Sequence, residues 1–347
     1  MIPDWERQRT FEISESSHTA EVRRFTSRLA EAAGFNESQA GGVALVTTEL
    51  ATNLLKHAGR GEIVVRPIVE RGTAGVELLA LDKGSGIANV AQSLRDGYST
   101  AGSPGTGLGA IARLAAEFDI QTQPGKGTAV MARLWAGKAA AIPEGHVAVG
   151  AICKPMPGET RSGDGWGCEL LADRCILALV DGLGHGPGAA AAAELAVASV
   201  RQHRTKAPAA IVQYAHDALR ATRGAALAVA EVDLPQQALR YCGVGNISAT
   251  IIAGDNLRHL VSYNGTAGHE ARKIVEFTYP WSANALLIMH SDGLMTRWNL
   301  QAYPGLIQRH PSLIAGVLYR DFVRGRDDVT VVALKGAAPG VPSKNDF

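Results

Sequence analysis

Residues 175–186 read CILALVDGLGHG, and this stretch decides how the second part of the chain is interpreted. Its first six residues are apolar and predict a buried β-strand, which leads into Asp181 and a glycine-rich turn. A carboxylate at the end of a buried strand is unfavourable unless it is paired or binds a metal ion. An ordinary Asp-Gly turn has the same sequence, so the interpretation depends on the surrounding chain.

Four further short signatures support a metal site. They are SGDG at 162–165, GVGN at 243–246, HSDG at 290–293 and RDDVT at 326–330. The last two adjoin apolar strands, as Asp181 does, and several strand ends of one sheet system can converge on hard cations. Two divalent ions about 3.5–4 Å apart can activate a water molecule and hold a phosphoryl group. The pattern therefore favours metal-dependent hydrolysis of a phosphoester.

Together these segments resemble the PPM-type protein phosphatases of the SpoIIE and RsbX branch, over residues 146–336. The resemblance implies an α-β-β-α sandwich, two Mn²⁺ or Mg²⁺ ions and phosphoserine or phosphothreonine as substrate. It also implies that Asp181 bridges both metals and that Gly182 offers a carbonyl group. Asp292 and Asp327 would complete the second metal site. Asp164 would bind a further metal or a water, and Asp328 is either a ligand or a cap at the start of the last strand.

The first part of the chain lacks the common G-x-x-x-x-G-K-[ST] phosphate loop but contains another polar pattern. In TTELATNLLKHAG, residues 47–59, Glu49, Asn53 and His57 are four apart and share one face of a predicted helix. Glu49 can accept a proton, and Asn53 can offer an oxygen to Mg²⁺. A solvated helix face would have the same spacing.

Three glycine-containing segments follow this helix. DKGSGI at 82–87 places Asp82 at the end of an apolar strand, where its carboxylate can accept from an exocyclic amine. SPGTGLG at 103–109 opens a helix, and its backbone N–H groups can bind an anion. GKGT at 125–128 begins the last strand of this part. Each segment alone is also compatible with a simple turn.

In this order the four segments resemble the ATP site of the GHKL family, over about residues 10–136, and specifically the RsbT and RsbW serine kinases. The resemblance implies a Bergerat-type α/β sandwich, with Glu49 as the base, Asn53 on Mg²⁺ and Asp82 on adenine. The remaining residues implied at the ATP site are Gly84, Gly86, Gly105, Gly107, Gly109 and Thr128, the last supporting the adenine contact.

The predicted fold class is therefore α/β (α+β), in two domains. We expect a kinase-like domain at 1–137, a linker at 138–145, a phosphatase domain at 146–336 and a tail at 337–347. With 34 basic and 33 acidic residues the net charge is +1, which gives no case for nucleic acid as a partner. No apolar run reaches the roughly 18 residues of a membrane span, so we expect a cytoplasmic protein with no membrane partner.

The combination predicts a bifunctional regulator that phosphorylates and dephosphorylates Ser or Thr of STAS-domain proteins, using ATP with Mg²⁺ in the first domain. In one alternative, the ATP-binding domain only regulates the phosphatase. In another, the first domain is a binding module, and its partner is a sigma factor or a phosphatase regulator.

Overall fold

The computed structural model describes residues 8–70, 72–94, 107–137, 147–254 and 256–336. These residues form two compact units. Those of the first unit fall within Met1–Ile142 and Leu300–Arg320, and those of the second within Pro143–Asn299 and Asp321–Val341. The predicted linker at 138–145 and tail at 337–347 lie outside the described residues, so the domain limits given above stay a prediction.

The first unit is built on a five-stranded antiparallel sheet with the order β1-β2-β3-β5-β4. Its apolar residues at alternate positions, such as Ile63, Val65, Leu78 and Ala80, are buried in one core. The strands are β1 (Arg9–Ile13), β2 (Gly61–Glu70), β3 (Thr73–Leu81), β4 (Glu117–Gln123) and β5 (Gly127–Trp135).

Helices cover one face of this sheet. They are α1 (Ser16–Ala32), α2 (Glu37–Asn53), α3 (Val90–Ser93) and α4 (Gly107–Leu114). Asn36 caps α2, since its side chain accepts from the Gln39 amide at 2.9 Å and Gln39 Oε1 accepts from the Asn36 amide at 3.0 Å. The predicted helix continued to about His57. The structure ends the α-helix at Asn53 and adds one π-helical turn, Leu54–Ala58.

The second unit contains two mainly antiparallel sheets, ordered β13-β10-β9-β8-β7 and β12-β11-β15-β16-β6, with β14 also paired to β10. Leu177 and Leu179 of the first sheet share a buried core with Leu287 and Val332 of the second, so the sheets form a sandwich. The strands are β6 (Val147–Lys154), β7 (Asp164–Leu170), β8 (Arg174–Gly182), β9 (Ala225–Asp233), β10 (Ala238–Val244), β11 (Ser248–Ala253), β12 (Asn256–His259), β13 (Ser262–Tyr263), β14 (Phe277–Pro280), β15 (Leu286–His290) and β16 (Val329–Gly336).

Two helices, α5 (Pro187–Gln202) and α6 (Pro208–Ala218), cover the other face of the first of these sheets. Ala192 and Ala196 of α5 and Ile211 of α6 pack in one cluster with Ile176 and Val180 of β8. The small side chains of α5 let the helix lie close to the strand. Together with the sandwich core, this layer confirms the predicted mixed α/β architecture.

A segment close to the C-terminus completes the first unit. Leu300–Arg320 belongs to that unit and includes most of α7 (Pro311–Phe322), whose residues Pro311 to Arg320 are all buried. An added Cβ at Gly316 would lie 2.8 Å from the Leu79 side chain, so the helix approaches β3 closely. The segment covers the charged face of the sheet, where Glu77 and Arg133 are buried. Across the described part of the chain, no helix is both long and apolar enough to cross a bilayer.

Candidate functional site

The first candidate site lies at the C-terminal end of α2. Glu49 and Asn53 are half-buried there, one helical turn apart. An added Cβ at Gly107, the first residue of α4, would lie 3.3 Å from both Glu49 Oε2 and Asn53 Oδ1. The structure therefore brings these three predicted residues together, and the absence of a side chain at Gly107 leaves the two polar groups accessible. Gly109 is buried within α4, and Gly105 lies outside the described residues.

Asp82 follows β3 directly and is held by backbone groups. Its Oδ1 accepts from the amides of Gly84 at 2.8 Å and Thr128 at 3.1 Å. Burial raises the pKa of Asp82, although these two bonds and the nearby Arg320 act in the opposite direction. Thr128, predicted to support the adenine contact, thus holds the carboxylate through its own amide. Both bonds use the same oxygen.

The glycines after Asp82 have a packing role that the sequence did not reveal. Gly86 has a φ of 73°, and a side chain there would collide with the carbonyl of Gln123. An added Cβ at Gly84 would lie 2.8 Å from that of Ala58, in the π-helical turn. The family resemblance places both glycines at the ATP site. The structure shows that both glycines also let the protein's own backbone pass.

The second candidate site gathers acidic residues of the second unit. Asp164 and Asp181 face each other in the register of β7 and β8, and the amide of Gly182 donates to the carbonyl of Gly163 at 3.0 Å. Ser291 Oγ donates to Asp164 Oδ2 at 2.6 Å. Because Ser291 precedes Asp292, this bond joins the acids of the two sheets.

The acids at the ends of β15 and β16 complete the cluster. Asp292 Oδ2 accepts from Asn246 Nδ2 at 2.9 Å, and Asp328 Oδ1 accepts from the amide of Met156 at 2.8 Å. Asp328 Oδ2 is buried and has no well-formed hydrogen bond among the described residues, although the backbone of Gly163 lies close enough to lower the pKa of Asp328. Asp327 is exposed, whereas Asp328 is buried. Asp328 is the residue for which the sequence allowed either a role as metal ligand or a role as strand cap.

These carboxylates repel one another. Burial, followed by the charges of Asp292 and Asp327, raises the pKa of Asp181 to about 7. Burial and the charge of Asp181 raise the pKa of Asp164 well above its ordinary value. The pKa values of Asp292 and Asp328 are also raised, first by burial and then by neighbouring acids. The charge of Arg324 opposes the rise at Asp292, but among the described residues the basic side chains do not outweigh burial and repulsion, so ionisation of the cluster is unfavourable.

The residues fit a hard divalent cation in chemical terms. The donors are all oxygens, Asp328 Oδ2 has no well-formed hydrogen bond among the described residues, and the uncompensated charge calls for a cation. Within the described ranges, however, no three acidic, histidine or cysteine side chains already lie close enough to chelate one ion. Cation binding would thus have to draw the carboxylates together.

Several residues around this acidic cluster were not predicted from the sequence to have a role in it. Asn246 and Ser291 were quoted within signatures but received no role, although both hold an acid in place. Arg161 directly precedes the SGDG signature and could be expected to bind phosphate, but its guanidinium pairs with Glu194. The basic residue beside the loop after Asp181 is instead Arg223, whose Nη1 lies 3.4 Å from the carbonyl of His185. No local motif marks it, because 38 residues separate the two in sequence.

Comparisons with known proteins agree with both halves. Residues 13–134 match the model of the histidine kinase-like ATPase domain, and residues 172–336 match that of stage II sporulation protein E, SpoIIE. The serine/threonine-protein kinase RsbT of Bacillus subtilis (strain 168) is 33% identical over 114 residues, which are 33% of this chain and 86% of RsbT.

Two solved structures extend the comparison. A chain from a bacterial stressosome, described as a modular system adapted to control secondary messenger signalling, is 28% identical, with a TM-score of 0.52. The match covers 55% of this chain and 100% of that one. RsbX in complex with magnesium is 18% identical, with a TM-score of 0.50 over 57% of this chain and 99% of its own, which shows the fold alone. The first part of the chain thus belongs to the RsbT family of histidine kinase-like ATPase domains, and the chain is a serine/threonine phosphatase that carries this kinase-like domain beside a second part that matches the SpoIIE model.

Proposed function

We propose that this chain sets the phosphorylation state of Ser or Thr residues in STAS-domain proteins, adding phosphate with its first part and removing it with its second. The RsbT-type and SpoIIE-type parts make it a regulatory protein of the partner-switching kind. We further propose that both parts are catalytically active and act on the same class of substrate. Because both active sites would lie in one chain, the kinase and the phosphatase would always be present at equal concentration.

For the kinase reaction, Glu49 would accept the proton of the substrate hydroxyl. Asn53 would offer its amide oxygen to Mg²⁺, and Asp82 would accept from the exocyclic amine of adenine. The proximity of Glu49, Asn53 and Gly107 supports this assignment, because a base and a metal ligand must both face the transferred phosphate. The raised pKa of Asp82 is consistent with a carboxylate kept partly dry for a ligand.

For the phosphatase reaction, Asp164, Asp181, Asp292 and Asp327 would hold two divalent ions, with the carbonyl of Gly182 as a further donor. Asp328 joins this set, because its second oxygen is buried and has no well-formed hydrogen bond among the described residues. Bound cations of this kind supply an activated water and neutralise charge on a phosphoryl group. Asn246 and Ser291 would orient the acids through the hydrogen bonds described above.

The single observation that carries the proposal is the cluster of strand-end carboxylates in which Asp164 faces Asp181, and in which burial and then the neighbouring acids raise the pKa of Asp181 to about 7. The test is an assay of phosphate transfer and release on candidate STAS-domain proteins, with ATP, Mg²⁺ and Mn²⁺. We expect Asn53→Ala to abolish transfer only and Asp181→Asn to abolish release only. The proposal fails if the intact chain neither adds nor removes phosphate.

A second candidate function is that ATP binding only regulates the phosphatase. One contact favours it: Arg320 Nη1 donates to the backbone carbonyl of Asp82 at 3.0 Å, so a segment within the SpoIIE-matched sequence supports the nucleotide site of the first unit. The variant Glu49→Gln separates the two. A kinase loses phosphotransfer while it still binds ATP, whereas a regulatory site shows no transfer in either form but changes phosphatase activity when ATP is added.

A further inference from the structure

Arg223 occupies a special place in the second unit, at the turn before β9. The strand register pairs Ala225 with Gly182 and Ala226 with Asp181. The amide of Leu183 donates to the carbonyl of Gly224 at 3.0 Å, which ties this turn to the loop after Asp181. Arg223 therefore stands beside the acidic cluster because of the fold, although it is far from Asp181 in sequence.

The guanidinium of Arg223 lies across the loop that runs from Asp181 to α5. An added Cβ at Gly188 would lie 2.8 Å from both Cζ and Nε of Arg223, and one at Gly184 would lie 3.3 Å from Nη1. Gly188 does not have a positive φ, so its own backbone conformation does not require glycine. The space above Gly188 is thus filled by the guanidinium.

Arg223 is also poorly satisfied for an arginine. It is exposed, and its one hydrogen bond among the described residues is the 3.4 Å bond to the carbonyl of His185. A guanidinium has five N–H donors in a planar fork, which matches the oxygens of a phosphoryl group. Nearby Arg220 differs, because its Nη2 donates to Asp217 at 3.1 Å.

We propose that Arg223 is the phosphate-binding residue of the phosphatase site and recognises the dianionic phosphoryl group of a phosphoserine or phosphothreonine. This inference rests on the proposed function of the acidic cluster. An anionic substrate approaching a group of carboxylates needs fixed positive charge in addition to any metal ion, and a forked arginine supplies both charge and direction. Glycine at 188 leaves room for the guanidinium to reach over the loop, whereas Gly184 is also required by its φ of 84°.

The test uses the full-length Mn²⁺-loaded protein and two probes, inorganic phosphate and a phosphoserine peptide. Arg223→Ala should raise the Kd for phosphate and the KM for the peptide by roughly 10–100-fold, the range expected for lost charge-assisted hydrogen bonds. Arg223→Lys should recover part of this loss, since it keeps the charge but not the fork. Arg220→Ala is the matched control, and we expect both constants to stay at the wild-type values.

Gly188→Ala gives an independent test with the arginine intact. Its methyl group would displace the flexible guanidinium, so the Kd for phosphate should rise in the same direction, while Mn²⁺ affinity should be unchanged. If Arg223→Ala does not fold, Gly188→Ala decides alone.

The inference is overturned if phosphate binding and KM are unchanged in Arg223→Ala, or if the wild-type chain binds no phosphate. In the first case a Mn²⁺-dependent activity lost only in Asp181→Asn would leave the proposed phosphatase function standing. A wild-type chain that binds phosphate through Arg223 but hydrolyses nothing would support the inference and contradict the phosphatase function.

Discussion

Two groups of acidic residues in this chain, one around Glu77 and one around Asp181, differ in how their charge is balanced. In the first unit, Glu77 Oε1 pairs with Arg66 at 2.9 Å, and Oε2 pairs with Arg133 at 2.7 Å and accepts from Ser312 at 2.7 Å. Burial alone would raise the pKa of Glu77, but the two arginines outweigh it and hold the pKa far below its ordinary value. In the second unit, the pKa of Asp181 is raised to about 7 by burial and neighbouring acids.

The difference separates a structural site from a functional one. Glu77 is neutralised by the chain itself, so its cluster is complete without a ligand. Asp181 and its neighbours are not neutralised, and proteins retain such repulsion mainly where it serves a function. The second cluster therefore needs protons or metal ions from outside the chain, which is the property that a metal-dependent phosphatase uses.

The largest effect should come from breaking the balanced site. Glu77→Gln would remove the carboxylate that Arg66 and Arg133 share, while Glu70 and Glu117 would still pair with Arg133. Removal of one partner from a buried ion pair costs about 3–5 kcal/mol. Urea unfolding followed by circular dichroism would measure the loss. An unchanged unfolding midpoint would show that the arginines are satisfied elsewhere.

The same change from a carboxylate to an amide at Asp181 should stabilise the protein, whereas at Glu77 it should destabilise it. Asp181→Asn removes a repelling charge, so the metal-free protein at pH 8 should become more stable, on the order of 2 kcal/mol. Phosphatase activity should be lost at the same time. Destabilisation of the metal-free variant would contradict the claim that Asp181 is held in a repulsive site.

The pH dependence of the metal-free chain follows from the same raised pKa. Between pH 4 and 7 the folded state keeps a proton on Asp181 that the unfolded chain has released, because the pKa is about 7 instead of 3.8. The contribution of Asp181 to the free energy of unfolding is therefore fully present below pH 3.8, the ordinary pKa of the group. It is lost as the pH rises through 7, by at most about 1.4 kcal/mol per pH unit. Melting temperatures of metal-free protein at pH 5, 6, 7 and 8 would measure it. Asp181→Asn should give a flatter profile, and a wild-type profile that rises with pH would be incompatible with the shift.

Breaking an exposed ion pair should hardly change the free energy of unfolding, so such a variant serves as a reference for the other two. Glu270 and Arg272 pair at 2.7 Å, but their side chains are 69% and 85% exposed. Water and salt screen such pairs, so Glu270→Gln should change the unfolding free energy by at most about 0.5 kcal/mol. The same urea titration measures it. A loss as large as that of Glu77→Gln would mean that burial does not explain the comparison.

Much of the fold and of the acidic site followed from local sequence. Strand-end acids such as Asp181 carry their signals within a few neighbours, and Asp181 lies at the end of β8 as the pattern predicted. Contacts between distant segments left no such signal. The bond from Ser291 to Asp164, the position of Arg223 over Gly188 and the placement of Leu300–Arg320 in the first unit all depend on how strands and helices pack.

The most direct test of the central claim is calorimetric titration of the metal-free chain with Mn²⁺ at pH 8, for the wild type, Asp181→Asn and Glu270→Gln. We expect two Mn²⁺ ions to bind to the wild type and to Glu270→Gln. Loss of a residue that only supports a metal ligand lowers metal affinity by roughly 10–100-fold. Because Asp181 would itself be a ligand, Asp181→Asn should lower the Mn²⁺ affinity by more than this. Equal Mn²⁺ binding by the wild type and Asp181→Asn, or no binding by the wild type, would contradict the account.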